Sequence, residues 1–305
     1  MTCAPIALFV YTRPEHARQT VEALLANPLA NQTPLHVFSD APRDEAASPA
    51  VAEVRSYIRG IDGFKTVTII ERETNFGLAR SIIDGVTRLC EEYGRVIVME
   101  DDLVTSPIFL SYMNDALTRY ENEAQVMQVS GHIPHVAEFS QREEAIFLPF
   151  VTSWGWGTWA RAWKHFDPLA RGWENICGDR ALRNRFNLDG HYDYARLIRQ
   201  QMNGEVDSWA IRWYVSVFVR KGVALFPPQS LVRNIGFTSG THGSRTLRWT
   251  LSRQVISDRP IAFPGVIQII DQDYVMVQKA IFRQMGGQLG GVLRRVKRCL
   301  DSGMR

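Results

Sequence analysis

Over the first hundred residues, short unbroken apolar runs alternate with longer stretches of helical spacing. IALFVY (6–11) and RVIVM (95–99) have the length and composition of buried strands, and LHVFSD (35–40) and KTVTIIE (65–71) read as strands between them. Ala17, Val21, Leu24 and Leu25 then repeat at helical spacing, with Thr12 placed as N-cap and Pro14 in the first turn. PAVAEVRSYIRG (49–60) predicts a second helix stopped by Gly60. NFGLARSIIDGVTRLCEEYG (75–94) predicts a third, with Leu78, Ile82, Val86 and Leu89 on one face. Strand and helix in alternation predict an α/β fold, a mainly parallel sheet with helices on both faces.

The pattern changes after residue 102. VMQVSG (126–131), AIFLPF (145–150) and VALFP (223–227) read as further strands. DSWAIRWYVSVFVRKG (207–222) reads as a helix apolar almost all round and ended by Gly222. Between them lies SWGWGTWARAWKHFD (153–167), dense in Trp and Gly, and NIGFTSGTHGSR (234–245) is a Gly-rich loop. From about residue 246 the chain reads as a helical extension. Its last part spaces Leu289, Val292, Leu293, Val296 and Leu300 helically, with Arg294, Arg295, Lys297 and Arg298 interspersed. The expected division is residues 1–245 as one α/β domain, with halves 1–102 and 103–245, followed by the extension 246–305.

Composition narrows the classes. A chain of 305 residues with 45% hydrophobic content is ample for a large core. A net charge of +3 does not by itself imply nucleic acid, and none is expected as a partner. The four cysteines, Cys3, Cys90, Cys177 and Cys299, form no CxxC, so neither a zinc site nor a disulfide framework is suggested. The start has no basic region, and no run approaches the ~18 apolar residues of a membrane span. The expectation is a cytoplasmic protein. The basic, apolar-striped tail adds the expectation of a peripheral contact with the inner face of the membrane.

The candidate chemistry sits in RVIVMEDDLVTSP (95–107), where a strand runs into Glu100, Asp101 and Asp102. Parallel sheets bind ligands at the carboxyl ends of their strands. Arg13, Asp40 and the three acids all stand at such ends. The GxGxxG fingerprint is missing after the first strand, which argues against a nicotinamide dinucleotide. Three adjacent carboxylates repel one another. A hard cation, Mn2+ or Mg2+, held by one or two of them plus substrate phosphates would relieve that repulsion. A polar loop that caps the following helix is the plainer reading of the same residues.

Taken in order, ALFVYTRPEH, VFSDAPR, NFGLARSI, VMEDDL, SWGWGTWARAW, DSWAIRW and LVRNIGFTSGTHG resemble the GT-A type glycosyltransferases, nucleotide-diphospho-sugar enzymes. The nearest pattern is that of the N-acetylglucosaminyltransferase I-like family and its bacterial surface-polysaccharide relatives. The resemblance spans residues 5–243. It implies a GT-A (Rossmann-like) mixed, mainly parallel sheet. It also implies transfer of a hexosyl or N-acetylhexosaminyl group from a UDP-sugar to a glycan or lipid-linked glycan. By that resemblance Asp102 is the metal ligand, Glu100 and Asp101 hold ribose and metal waters, Arg13 meets the diphosphate or nucleoside, Asp40 meets the base, and Arg80 faces the nucleotide.

Asp207 is by the same resemblance the base that deprotonates the acceptor, giving inversion. Many relatives carry their Asp directly after a Trp, where this chain has Ala210 after Trp209. Asp207 also suits a helix cap. Trp154 and Trp156 are expected to line the sugar or acceptor pocket, with Trp159 and Trp163 in the core. His242 is expected near phosphate or metal, with Asn234 and Thr241 as weaker candidates. Two other classes use the same features: a metal-dependent phosphohydrolase or nucleotidyltransferase, and a non-catalytic carbohydrate-binding protein.

Overall fold

The computed structural model describes residues 2–236 and 256–284. The first half alternates as the pattern predicts: β1 (Ile6–Val10), α1 (Pro14–Leu25), β2 (Pro34–Ser39), α2 (Ser48–Ile58), β3 (Thr66–Glu71), α3 (Gly77–Tyr93) and β4 (Arg95–Glu100). β5 (Leu103–Thr105), α4 (Phe109–Arg119), β6 (Val126–Ser130), β7 (Ile146–Leu148) and β8 (Trp156–Trp159) follow. Next come helices α5 (Ala160–Trp163), α6 (Trp173–Gly178), α7 (Arg180–Phe186), α8 (Tyr194–Met202) and α9 (Trp209–Val219). β9 (Val223–Phe226), β10 (Val232–Asn234) and α10 (Asp271–Gln284) complete the described chain.

Eight strands form one sheet in the order β3-β2-β1-β4-β8-β6-β9-β7. β1 pairs in parallel with β2 and β4, β2 with β3, and β6 with β9; β8 and β7 run against their neighbours. The sheet is therefore mixed and mainly parallel, and it runs continuously through both halves of the chain. β1, β2 and β4 are nearly continuous apolar runs because both faces are covered, the signature of a buried parallel sheet.

α1 opens differently from the pattern. Its cap position is Arg13, with no side-chain cap bond, and Pro14 takes the first helical position; Thr12 lies one residue too early to cap. α3 presents Ile82, Val86 and Leu89 to the sheet and stops at Gly94, whose φ of 76° ends the helix in the left-handed region. Leu78, expected on the same face, is exposed.

The described part of the C-terminal extension is packed against the sheet rather than standing free. The backbone of Ala262 exchanges bonds of 2.8 and 2.9 Å with Glu143 and Ala145, just ahead of edge strand β7. Phe263 stacks on Tyr112. Arg142 holds Asp273 of α10 at 2.7 Å, and Gln278 reaches Asp189 at 2.7 Å. Among the described residues no helix is long and apolar enough to cross a membrane. The striped basic segment at 289–300 lies outside them.

Candidate active site at the carboxyl edge of the sheet

The register of the first four strands brings the expected chain ends together. Phe9 sits opposite Glu100, and Val10 opposite Ser39. The residues that follow, Arg13, Asp40 and the EDD triplet, therefore leave the same edge of the sheet. Beyond β4 the chain turns and forms β5, which pairs with β10 antiparallel so that Leu103 faces Asn234. That two-stranded ribbon brings residues some 130 positions later in sequence onto the acids.

Arg13 ties the two aspartates of the triplet together. Its Nη1 donates to Asp102 Oδ2 at 2.9 Å, and its Nη2 donates to Asp101 Oδ1. Asp101 is turned inward: its other oxygen accepts from the Tyr11 amide at 3.3 Å, and its carbonyl accepts from the buried Thr20 hydroxyl at 2.8 Å. Asp102 accepts on Oδ1 from Asn234 Nδ2 at 3.4 Å, and its carbonyl accepts from the Ile235 amide at 2.8 Å. Gly236 lies against the same carboxylate. A Cβ there would fall 2.3 Å from Asp102 Oδ2 and 2.9 Å from Arg13 Nη1, so any side chain closes the space beside that oxygen.

The electrostatics follow from crowding. Burial, then the charges of Asp102 and Asp101, push Glu100 up to about 8, against the pull of Arg13. Burial raises Asp101 to about 6 and outweighs Arg13. Burial pulls the Arg13 guanidinium down, but the two carboxylates more than restore it, and it stays charged. Arg13 meets Asp101 and Asp102 but does not outnumber them, so the group stays acidic overall, as a site for a divalent cation should.

Asp40 stands at the end of β2 and is buried. Its carboxylate accepts from the amides of Ala41 (2.9 Å), Phe76 (2.8 Å) and Gly77 (2.8 Å), and so it fixes the turn that starts α3. Asn75 closes that turn onto the Ala41 carbonyl. Arg80, one turn into α3, is exposed and lies 3.7 Å above the Phe76 ring. The structure therefore joins Arg80 to Asp40 through Phe76, at the end of β2, one strand removed from the EDD group across β1.

Asp207 lies at the same edge. α9 leads into β9, which runs parallel to β6, so α9 must begin at the carboxyl edge. Trp209, its first residue, stacks on Trp156 of β8 at 5.0 Å. The side chain of Asp207 is 66% exposed and is held by Arg212 Nη2 at 2.6 Å. The helix cap is Ser208, whose Oγ accepts from the Ile211 amide. The capping role considered for Asp207 thus falls to its neighbour, and the Asp207 carboxylate is presented to solvent.

The tryptophans divide differently from the expectation. Trp156 is fully buried, packed among Trp209, Trp163 and Trp213, so it lines no pocket. It became core because β8 inserts into the sheet between β4 and β6. Trp156→Ala should cost about 3–5 kcal/mol in urea unfolding, the size expected for emptying a large core site. Trp159 and Trp163 are core as expected, donating to Leu117 O and Thr87 Oγ1. Trp154 alone is half-buried, its ring 4.4 Å from that of His132.

His132 went unnoticed in the sequence. It follows β6, is buried, and its Nδ1 lies 3.0 Å from Ser230 Oγ. Burial pushes it down to about 3, so it backs Trp154 as a neutral ring. A histidine depressed in the folded state favours folding fully above its unfolded value of about 6.5 and loses that contribution as pH falls toward 3. His132→Gln should therefore flatten the fall in urea midpoint between pH 7.5 and pH 5. Asn234, a weaker candidate in the sequence, and Gly236, which the sequence does not single out, are placed at the site only by the β5–β10 pairing. His242 and Thr241 lie outside the described residues.

A family model for the GNT-I family matches residues 1–190, more than half of the 305-residue chain. The chain belongs to the GNT-I family. It is accordingly a glycosyltransferase, and the GT-A type mixed sheet implied by its motifs is the fold observed. No curated protein matches the chain. Among solved structures, this GNT-I family member is similar to the mannosyltransferase PcManGT from Pyrobaculum calidifontis, in complex with GDP-Man and Mn2+. The identity is 12% and the TM-score 0.40, over 72% of this chain and 73% of that one. It is also similar to residues 1–349 of TarS from S. aureus, at 9% identity and a TM-score of 0.40, over 83% of this chain and 70% of that one. Both are distant likenesses.

Proposed function

We propose that this GNT-I family member is a metal-dependent, inverting transferase. It moves a hexosyl or N-acetylhexosaminyl group from a UDP-sugar to a hydroxyl of a glycan, free or lipid-linked, in surface polysaccharide or glycoconjugate synthesis. The observation that carries the reading is the convergence of Arg13, Asn234 and Gly236 on the Asp102 carboxylate at the carboxyl edge of the sheet.

The residues present fit a hard divalent cation. Asp102 offers a carboxylate oxygen beside a space that a Cβ at 236 would fill. Among the described residues no three His, Cys, Asp or Glu side chains gather as a complete cage. One carboxylate completed by phosphates and water is a common arrangement for Mg2+ and related ions. When bound, Mn2+ or Mg2+ supplies charge neutralisation to the departing nucleoside diphosphate. Arg13 adds a second positive charge toward the diphosphate. Glu100, half-buried beside Asp102, is available to a ribose hydroxyl. Asp40 orders the Asn75–Gly77 turn against which the base lies, with Arg80 at its rim. Asp207 takes the proton from the acceptor hydroxyl as that oxygen attacks the anomeric carbon and the C–O bond to the diphosphate breaks. Trp154 forms the sugar-facing wall.

Residues 1–245 constitute the catalytic domain in this reading, and 246–305 are the extension, whose basic tail meets the membrane that carries a lipid-linked acceptor. A panel of UDP-, GDP- and dTDP-sugars with Mn2+, read by mass spectrometry, tests the assignment. Release of a nucleoside diphosphate together with glycosylated product supports it. Hydrolysis of nucleoside triphosphates or phosphoesters with no sugar transfer favours a phosphohydrolase and overturns it.

A further inference from the structure

Arg13 touches the one carboxylate oxygen that the proposed cation needs. Its Nη1 lies 2.9 Å from Asp102 Oδ2, the oxygen beside Gly236, while Asn234 takes the other. A guanidinium and a divalent cation cannot both sit against one oxygen without strong mutual repulsion. Arg13 is nonetheless partly open to solvent, on the side from which a ligand would arrive. Its side chain is 39% exposed, and it occupies the cap position of α1, where its backbone rather than its side chain serves the helix.

We propose that Arg13 is a positioning residue that competes with the divalent cation for Asp102 Oδ2, and that the donor's diphosphate settles the competition by drawing the guanidinium away. The proposal rests on the functional reading above. It makes cation and nucleotide bind as a coupled pair. The diphosphate offers Arg13 a bidentate anionic partner in exchange for Asp101 and Asp102, and the freed oxygen accepts the cation. The exchange keeps the acids paired, because the cation takes the place beside Asp102 that the guanidinium gives up. A diphosphate then gives the guanidinium a reason to stay close without holding Asp102. Coupling of this kind is reciprocal, so the cation tightens nucleotide as much as nucleotide tightens the cation.

The test is calorimetric titration of Mn2+ into the full chain, with and without UDP, for the natural protein, Arg13→Met and Arg13→Gln. Gln keeps a hydrogen-bond donor for Asp101 if the Met variant folds poorly. Without UDP, the neutral variants should bind Mn2+ roughly tenfold or more tightly than the natural protein, within the usual range of coupling between sites. The enhancement of Mn2+ affinity by UDP should shrink in both. If Arg13 is a permanent strut, the variants bind Mn2+ no better without UDP and merely melt earlier, which overturns the competition while leaving the transferase reading intact. Mn2+ that binds no form even with UDP overturns the metal-dependent reading and this proposal with it.

Discussion

Asp102→Asn is expected to lower turnover by roughly 100-fold or more, because the metal's contribution to transition-state charge is worth several kcal/mol. The substitution removes the charge and the long 3.4 Å bond from Asn234 Nδ2. The Asn carbonyl oxygen can still accept from Arg13 Nη1, and the backbone bond from Ile235 to the Asp102 carbonyl does not involve the side chain. The melting temperature should therefore move little, while Mn2+ no longer tightens UDP binding. Gly236→Ala gives an independent route to the same result, since its Cβ would press on Asp102 Oδ2 from 2.3 Å. Asp101→Asn should behave otherwise. That carboxylate is buried and already engaged by Arg13 and the Tyr11 amide, so its loss disturbs folding of the edge as well as activity. Steady-state kinetics and thermal melts on the three variants separate a metal ligand from a strut.

The second large effect is expected at Asp207. Loss of a general base costs typically 10²- to 10⁴-fold, so Asp207→Asn should lower kcat on that scale with UDP affinity and Mn2+ coupling preserved. Its exposed pairing with Arg212 contributes at most about 1 kcal/mol to stability. Ser208→Ala is the natural control. It removes the bond that caps α9 and should cost about 1 kcal/mol in unfolding free energy, with turnover largely kept. If the Ser208 and Asp207 variants lose activity in proportion to lost stability, Asp207 is part of the cap region and some other group takes the proton.

The first half of the fold was legible because β1, β2 and β4 are buried on both faces and read as unbroken apolar runs, with helices of clear period between them. β8 was not. Its Trp156-Gly157-Thr158-Trp159 has no strand-like alternation, and Gly157 is there because Met113 and the Val96 carbonyl come within 3.0 Å of where a Cβ would be. That requirement belongs to the assembled sheet, and it also turned Trp156 from a pocket wall into core. The site shows the same division. Arg13, Asp40 and the acids were visible as strand ends. Asn234 and Gly236 reach Asp102 only through a three-residue ribbon pairing 103–105 with 232–234, which no local pattern announces. The cap of α9 fell to Ser208 and that of α1 to Arg13, shifts of one residue that decide which side chain is free for chemistry.

The metal role of Asp102 is tested most directly by UDP binding in a calorimeter, to the natural protein and to Asp102→Asn, each with and without Mn2+. Mn2+ should tighten UDP binding to the natural protein by tenfold or so, within the usual range of coupling, and leave the variant's affinity unchanged. UDP binding that ignores Mn2+ in the natural protein, or a Mn2+ effect that survives in Asp102→Asn, would contradict it.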